Sequence, residues 1–367
     1  MLPCQLGRWS SATQMQVRSV VIIYFSLLSA PLLTLWILFR CRWSAVLALS
    51  CYIGWFTLLD DAPKSGKRFV PTLRQRSFWK HFASYFPIKL ERTVELDPSR
   101  NYLFGYHPHG IISVGALCNF ATEATGFAKK FPGIDLRLLT LEMNFRIPFF
   151  REYLLGMGIN DASKKSCLRN LSRGPGASVM LVVGGARESL ETKPGHVDLV
   201  LQNRKGFVKI ALRTGSSLVP VVSFGENDVF GVYQNDKAML WQLKMQKKLG
   251  FAVPFFFGRA LSGGVLHRLF GLNVGVMPLR VPVYSVVGHP IHVEKVENPT
   301  NDDINKVHAQ YVAELQRIYA EFKDKYAKER NEALNTCDAS RQQSLKVLRT
   351  NTFQLDDYDL HELSMVD

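Results

Sequence analysis

Tyr102-Leu103-Phe104-Gly105-Tyr106-His107-Pro108-His109-Gly110 is the stretch that decides the fold. Its apolar first half predicts a strand, and the small, apolar residues after it predict a helix from Ile111. Pro108 has no N–H for a strand ladder and favours an extended His107, while Gly110 permits a tight turn. The stretch therefore places two imidazoles at a strand-to-helix turn, where α/β enzymes keep their chemistry.

The second histidine, His109, is the candidate general base. At a helix N-terminus the partial positive charge disfavours imidazolium, so we expect a neutral, proton-accepting ring at cytosolic pH. Taken alone, the motif fits two other interpretations, an ordinary polar turn or a His-x-His metal site. Neighbouring motifs must decide among the three.

Outward from this stretch, short apolar runs alternate with helical stretches, which is typical of an α/β fold. Strands are predicted at 102–106, 136–141, 179–183, 218–223 and 283–287. Helical periodicity is clear at 205–212 and strongest at 302–328, where Thr300 and Asp303 form a capping signal. Residues 329–367 are polar and show no hydrophobic periodicity, so we predict that they form a mobile tail.

Two apolar runs precede the α/β region. Residues 20–39 are long enough to span a hydrocarbon core, residues 43–59 are slightly shorter, and only Arg40-Cys41-Arg42 separates them. We predict a helical hairpin kinked near Pro31, spanning the bilayer twice or dipping into one leaflet. A cleaved signal peptide is the alternative, but its apolar core is usually about 7 to 15 residues. This divides the chain into segment 1–19, hairpin 20–59, domain 60–328 and tail 329–367.

Charge indicates the side of the membrane and the class of partner. The chain of 367 residues carries a net charge of +14, and positions 64–92 contain eight basic residues and one acidic residue. This excess predicts a cytosolic domain, whose sequon Asn170-Leu171-Ser172 would stay unmodified. No nucleic-acid signature accompanies the charge, so anionic lipid and a phosphorylated ligand are the expected partners. The six scattered cysteines predict reduced thiols.

Aromatic residues are interleaved with these bases. This pattern fits a helix in the headgroup layer or an amphipathic helix on the domain core, and the aromatic positions are Phe78, Trp79, Phe82, Tyr85 and Phe86.

Two further motifs supply candidates for the site. After the predicted strand 179–183, the paired glycines Gly184 and Gly185 allow close approach to a ligand, Arg187 suits a phosphate and Glu188 suits an imidazole. A surface turn with a local ion pair is the alternative. Further along, a basic helix start could hold the phosphates of a nucleotide-like donor, or could be an ordinary solvated face, and its bases are Arg204, Lys205 and Lys209.

Five motifs in one order resemble the type-2 diacylglycerol acyltransferase family from about residue 60 to residue 328. They are Tyr106-His107-Pro108-His109-Gly110; Asn144-Phe145-Arg146-Ile147-Pro148 with Arg151-Glu152-Tyr153; Gly184-Gly185-Ala186 with Glu188-Ser189-Leu190; Arg204-Lys205-Gly206-Phe207; and Phe224-Gly225-Glu226-Asn227.

The resemblance implies an endoplasmic-reticulum membrane enzyme, also found at lipid droplets, that transfers a fatty acyl group from acyl-CoA to diacylglycerol. It implies a glycerolipid-acyltransferase-like mixed sheet flanked by helices, acyl-CoA as co-substrate and no cofactor or metal. The His-x4-Asp motif of distant relatives is absent, since Ile112 and Val114 occupy the acid positions. Departures at Asn160-Asp161-Ala162 and Ala260 leave regulation and acceptor preference open, and the tail's role and homo-oligomerisation are equally open.

The resulting hypothesis is direct acyl transfer. His109 takes the acceptor's hydroxyl proton and Glu188 stabilises the imidazolium, while His107 shapes the turn or donates to the oxyanion, for which Asn144 and Asn227 are other candidates. Arg151 and Glu226 support the site. The rivals are a metal hydrolase using the two histidines, a non-catalytic lipid-droplet hairpin protein, and an acyltransferase for monoacylglycerol or wax alcohols. The hydrolase needs further ligands, for which His196, His267 and His289 stand in no recognisable metal spacing.

Overall fold

A computed structural model describes residues 10–197, 199, 201–233, 241–242, 244–245, 255–260 and 275–327. The strands of its main sheet are β1 (Lys89–Arg92), β2 (Tyr102–His107), β3 (Asp135–Thr140), β4 (Asn160–Asp161), β5 (Ala177–Val182) and β6 (Ser217–Phe224). Next along the chain, β7 (Gly231–Val232) and β8 (Phe256–Phe257) pair with each other, and β9 (Tyr284–Val287) returns to the main sheet. The predicted tail and residues 1–9 lie outside the described residues.

The helices lie before, between and after these strands. They are α1 (Ser11–Arg40), α2 (Trp43–Leu58), α3 (Ala62–Ser65), α4 (Pro71–Arg74), α5 (Phe78–Tyr85), α6 (Val114–Phe120), α7 (Phe127–Lys130), α8 (Phe150–Gly156), α9 (Lys164–Leu171), α10 (Gly185–Glu191), α11 (Gly206–Thr214) and α12 (Asn301–Tyr326).

The main sheet has the order β1-β9-β6-β2-β5-β3-β4. Strands β2 to β6 run parallel, while β9 pairs antiparallel with β6 and parallel with β1. This confirms the predicted α/β class and mixed sheet. The carboxyl ends of β2, β5 and β6 meet at one edge because these strands are parallel neighbours, with β2 in the middle.

The five predicted strands are all present, with ends that differ by one or two residues. The capping prediction is also confirmed, since Asp303 N–H donates to Thr300 Oγ1 and Thr300 N–H donates to Asp303 Oδ2. The short strands β1 and β4 were not predicted. They are four and two residues long, which is too short for alternation to be legible.

Alternation along β2 divides the apolar side chains between the two faces of the sheet. Tyr102, Phe104 and Tyr106 join the core beneath α5 and α6, while Leu103 joins the core beneath α11 and α12. All six residues of β2 are buried, as expected for a central parallel strand covered on both faces.

The hairpin begins earlier than predicted, because α1 starts at Ser11. Its first turns pack on the domain, where Val17 and Val20 are buried. The axis of α1 bends by 48° between Ser26 and Ser29, just before Pro31, whose ring displaces the preceding turn. Part of the first apolar run is therefore domain core, and lipid is not its only environment.

The second half of the hairpin is apolar and exposed. Trp43 is 88% exposed and Leu58 is 81% exposed. The segment Trp43–Ser65, which comprises α2 and α3, is long and apolar enough to cross a membrane. The bent α1 is a second candidate if its two parts are counted as one span.

Of the two interpretations of the aromatic segment, the domain-core one is correct. Trp79, Phe82, Tyr85 and Phe86 are all buried on or just after α5. One base among them is also structural: Arg74 is buried and donates to the backbone carbonyls of Met157, Leu136 and Gly158.

Candidate active site

His107 is the last residue of β2 and His109 lies in the loop between β2 and α6, so both histidines are at the carboxyl edge of the sheet. The prediction that a helix begins at Ile111 is wrong by three residues, since α6 begins at Val114. A turn intervenes, in which Gly110 has φ +60° and Ser113 has φ +52°. His109 consequently does not sit at a helix N-terminus, and the helix dipole cannot be the cause of its protonation state.

Geometry and burial nevertheless make His109 a neutral proton acceptor. Its Nδ1 lies 2.9 Å from the carbonyl oxygen of Gly110. A carbonyl only accepts, so Nδ1 carries the hydrogen and Nε2 keeps its lone pair. Burial of the ring lowers the pKa of His109 below its usual value.

Glu188 contacts the backbone of His109. Its Oε1 accepts the His109 N–H at 2.6 Å, and the side chain is only 3% exposed. Gly184 leaves room for this carboxylate, because a Cβ at Gly184 would lie 2.3 Å from Glu188 Oε2. We expected Glu188 to orient the imidazole ring. Instead, the Nδ1 position is taken by Gly110, and the carboxylate holds the main chain of the loop.

A second carboxylate, Glu226, lies on the other side of the same loop. Its Oε2 accepts the O–H of Tyr106 at 2.7 Å and the N–H of Gly115 at 3.0 Å. A Cβ at Gly110 would come within 2.9 Å of Glu226 Cγ. Burial raises the pKa of Glu226 to about 7. The loop is thus held between an acid that follows β5 and an acid that follows β6.

His107 faces the opposite side of the sheet from Tyr106. Tyr311 on α12 donates its O–H to the Gly105 carbonyl at 3.2 Å, so His107 Nε2, 2.9 Å from that oxygen, is the donor to Tyr311. The ring is 1% exposed, and burial lowers the pKa of His107 to about 3. This environment favours the turn-shaping role over donation to an oxyanion.

One of the basic candidates, Arg204, lies beside the paired glycines. A guanidinium nitrogen of Arg204 lies 3.8 Å from a Cβ built on Gly185. Lys205 donates to Asn305 Oδ1 on α12 at 2.6 Å, and Lys209 lies one turn further along α11. The backbone of Arg187 belongs to α10, and its side chain lies outside the described part.

Three supporting candidates have partners away from His109. Asn144 donates to Thr140 Oγ1 at 3.0 Å and Asn227 donates to the carbonyl of His196 at 2.7 Å. Arg151 is fully buried at the base of the hairpin, where it pairs with Asp60 and Glu152 and lies 4.5 Å from the centre of the Phe56 ring. Its geometry is that of a tether between α8 and the hairpin.

Two tyrosines of the site were not predicted. Tyr311 lies within the periodic region 302–328 and Tyr106 ends the predicted strand 102–106, and the sequence assigned neither of them a role in the site. A buried tyrosine hydroxyl needs a hydrogen-bond partner, and that requirement is the signal that could have drawn attention to both.

Among the described residues, no group of three or more His, Cys, Asp or Glu side chains could hold a metal ion. His289 lies beside Glu314 at 4.0 Å, and His267 lies outside the described residues.

Comparison with known proteins identifies the family to which the chain belongs. A family model described as diacylglycerol acyltransferase matches residues 36–336. The diacylglycerol O-acyltransferase 1 of Schizosaccharomyces pombe is 48% identical over 75% of this chain and 79% of its own length. Diacylglycerol O-acyltransferase 2A of Umbelopsis ramanniana is 45% identical over 84% and 83%, and the 2-acylglycerol O-acyltransferase 1 of Bos taurus is 43% identical over 77% and 83%.

Among solved structures, the 1-acyl-sn-glycerophosphate acyltransferase PlsC of Thermotoga maritima aligns with a TM-score of 0.38 at 12% identity. The alignment covers 84% of this chain and 97% of that one.

Proposed function

Because the chain belongs to the diacylglycerol acyltransferase family, we propose that it transfers a fatty acyl group from acyl-CoA to diacylglycerol and forms triacylglycerol. The observation that carries the mechanism is the unprotonated Nε2 of His109, with Nδ1 held by the Gly110 carbonyl. A general base needs that lone pair at working pH.

In the proposed reaction, His109 Nε2 removes the proton of the acceptor hydroxyl as the oxygen attacks the thioester carbonyl. The tetrahedral intermediate then collapses, the carbon–sulfur bond breaks, and the proton passes from the imidazolium to the leaving thiolate. Glu188 holds the backbone of His109 and places a negative charge beside the imidazolium while it exists. No cofactor beyond acyl-CoA enters this scheme.

We assign donation to the oxyanion to the loop that contains His109. Asn144 and Asn227 remain candidates only through their second amide hydrogens, because each already donates to a neighbour. His107 is buried against Tyr311 and acts through the shape of the turn.

For the phosphates of acyl-CoA, Arg204 is the best-placed base, since it adjoins the glycine turn that leads to Glu188. Lys205 and Lys209 lie at the start of α11 and are further candidates, and Arg187 remains a candidate from the sequence. Lys205 would have to exchange Asn305 for the ligand.

The exposed hairpin supports a membrane-bound enzyme. Diacylglycerol stays in the bilayer while the head of acyl-CoA stays in water, so a site next to an apolar hairpin meets both substrates. We propose the endoplasmic reticulum membrane, with the domain on the cytosolic side, and lipid droplets as a second location.

The test uses membranes from cells that express the chain, supplied with labelled oleoyl-CoA and diacylglycerol. Triacylglycerol should form, and His109→Ala should reduce the rate by about 10²- to 10⁴-fold at equal protein level. His289→Ala is the matched control, because this exposed histidine lies on another part of the surface. Equal activity of His109→Ala and His289→Ala would refute the base assignment.

A second acceptor is supported by the relative whose name specifies 2-acylglycerol. Parallel reactions with monoacylglycerol and a long-chain alcohol decide between the acceptors. Absence of transfer to all three would favour a non-catalytic hairpin protein.

A further inference from the structure

A chain of buried polar side chains crosses four elements and ends at Glu226. Asn119 Nδ2 on α6 donates to Ser285 Oγ on β9 at 2.8 Å, and Ser285 Oγ lies 3.1 Å from Ser223 Oγ on β6. Tyr106 Oη on β2 lies 2.7 Å from both Ser223 Oγ and Glu226 Oε2. All five side chains are buried.

The protonation state of Glu226 sets the direction of donation along this chain. When Glu226 is ionised its carboxylate can only accept hydrogen bonds, so Tyr106 donates its single hydroxyl hydrogen to Glu226 Oε2. A protonated Glu226 can instead donate to Tyr106, and Tyr106 then donates to Ser223 Oγ, while Ser285 accepts from Asn119. Chains of hydrogen bonds aligned in this way strengthen one another in a low-dielectric interior.

The hydrogen-bonded chain of side chains contacts the His109 loop and the start of α6 at two glycines, Gly110 and Gly115. At Gly110, a Cβ would meet Glu226 at 2.9 Å, and at Gly115 it would lie 2.2 Å from Tyr106 Oη and 2.7 Å from Glu226 Oε2. The loop and the first turn of α6 therefore pack directly on this carboxyl group, on the side of His109 opposite Glu188.

We propose that Glu226, with the hydroxyl chain that ends on it, is a positioning residue that sets the place of His109 Nε2 through Gly110 and Gly115. This rests on the proposed acyl transfer and extends it. Glu226 acts through the loop and touches neither substrate.

Protonation of Glu226 turns its carboxyl group into a donor, so the hydrogen of Tyr106 moves from Glu226 to Ser223 and the order described for the ionised state is lost. Its pKa of about 7 lies above the lowered pKa of His109, so loss of this order sets the acid limb of the pH–rate profile. Burial raises the pKa values of Tyr106 and Cys118, which keeps both neutral in this range. Within the described part of the chain, the titratable groups that interact with Glu226 are Tyr106 on β2, Tyr24 on α1, Cys118 on α6 and Asp228 in its own turn.

The experiment compares Tyr106→Phe with Tyr102→Phe in the full chain in membranes. Both tyrosines lie on β2 and point to the same face, but Tyr102 donates to the Asp97 carbonyl at the far end of the strand. We expect Tyr106→Phe to lower kcat by about 10- to 100-fold with both KM values unchanged. Tyr102→Phe should keep the wild-type kcat. Equal losses in the two variants would overturn the proposal.

The pH profile gives the second arm. Glu226→Gln should move the acid limb from about pH 7 to the lower value set by His109, and a limb that stays in place would overturn the proposal. A third readout needs no turnover: diethylpyrocarbonate should modify His109 faster in Tyr106→Phe than in Tyr102→Phe, as measured by mass spectrometry. Equal modification rates reject the positioning role even if the chain proves not to be an acyltransferase.

Discussion

Glu188 Oε1 accepts the backbone N–H of His109 at 2.6 Å, so an acid that follows β5 holds the main chain of a loop that follows β2. The register between β2 and β5 brings Tyr106 opposite Val182, which places the two loops side by side. The contact acts on the position of the whole residue, and the imidazole itself is held by Gly110.

Substitutions of Glu188 separate charge from position. In Glu188→Gln the amide oxygen can still accept the His109 N–H, so only the charge beside the imidazolium is lost. We expect Glu188→Gln to retain more activity than Glu188→Ala, with losses of about 10-fold and about 100-fold. Initial rates with saturating oleoyl-CoA provide the measurement. Identical losses would mean that the charge alone matters.

Tyr311 should be a stability determinant of the site. Tyr311→Phe leaves His107 Nε2 without its partner in a buried position, which typically costs about 1–3 kcal/mol of the free energy of unfolding. Thermal unfolding in detergent measures the change. Tyr326→Phe is the control, because its hydroxyl contacts the partly exposed Glu91.

Gly105 and Tyr311 should be coupled. A Cβ at Gly105 would lie 2.0 Å from Tyr311 Oη and 3.0 Å from Cζ, so the hydroxyl is the main obstacle. We expect Gly105→Ala to unfold at lower temperature than the wild type. Adding Tyr311→Phe should recover part of that loss, which a double-mutant cycle detects. Strict additivity would show that the obstacle lies elsewhere.

The base of the hairpin offers an adjacent pair of acids. The Asp60 side chain is 8% exposed and pairs with Arg151 and Arg68, so Asp60→Ala leaves the buried Arg151 with Glu152 alone and should cost up to about 3–5 kcal/mol of unfolding free energy. Asp61 is half exposed, and its ion pairs with Lys67 and Arg169 are worth about 0–1 kcal/mol. Equal unfolding temperatures of Asp60→Ala and Asp61→Ala would contradict the role of the Asp60–Arg151 pair in holding the hairpin to α8.

Glu226 should also give stability a pH dependence. Its folded pKa of about 7 exceeds the ordinary value of 4.5, so the folded state binds the proton more tightly than the unfolded state. Stability contributed by that proton is present below pH 4.5 and is lost as pH rises through about 7. Relative to Glu226→Gln, the wild type should therefore become less stable over this interval. If the difference in unfolding free energy between the wild type and Glu226→Gln stayed constant from pH 4.5 to about 7, Glu226 would not be the source of this pH dependence.

Local sequence patterns identified the elements but not all of their neighbours. The apolar run that ends in His-Pro-His-Gly and the periodicity of α12 gave β2 and the final helix, because strand period, turn chemistry and capping are encoded within a few residues. The contact between His107 and Tyr311 joins positions 204 apart, and no local pattern carries that information.

Burial gives a second reason for the predicted absence of a glycan at Asn170, besides a cytosolic location of the domain. Asn170 is fully buried in α9, where its amide donates to the Ser166 carbonyl, so it would remain unmodified in the folded protein on either side of the membrane.

The sharing of α1 between core and hairpin has a consequence for how the protein is made. Val17 and Val20 cover the domain, Gln16 accepts from Arg280 at 3.0 Å, and the same helix continues into the apolar tip. A fragment that began at residue 60 would expose this surface and should aggregate rather than yield a soluble enzyme. Because the first turns of α1 complete the domain core, replacing α1 by an unrelated apolar helix should destabilise the domain itself.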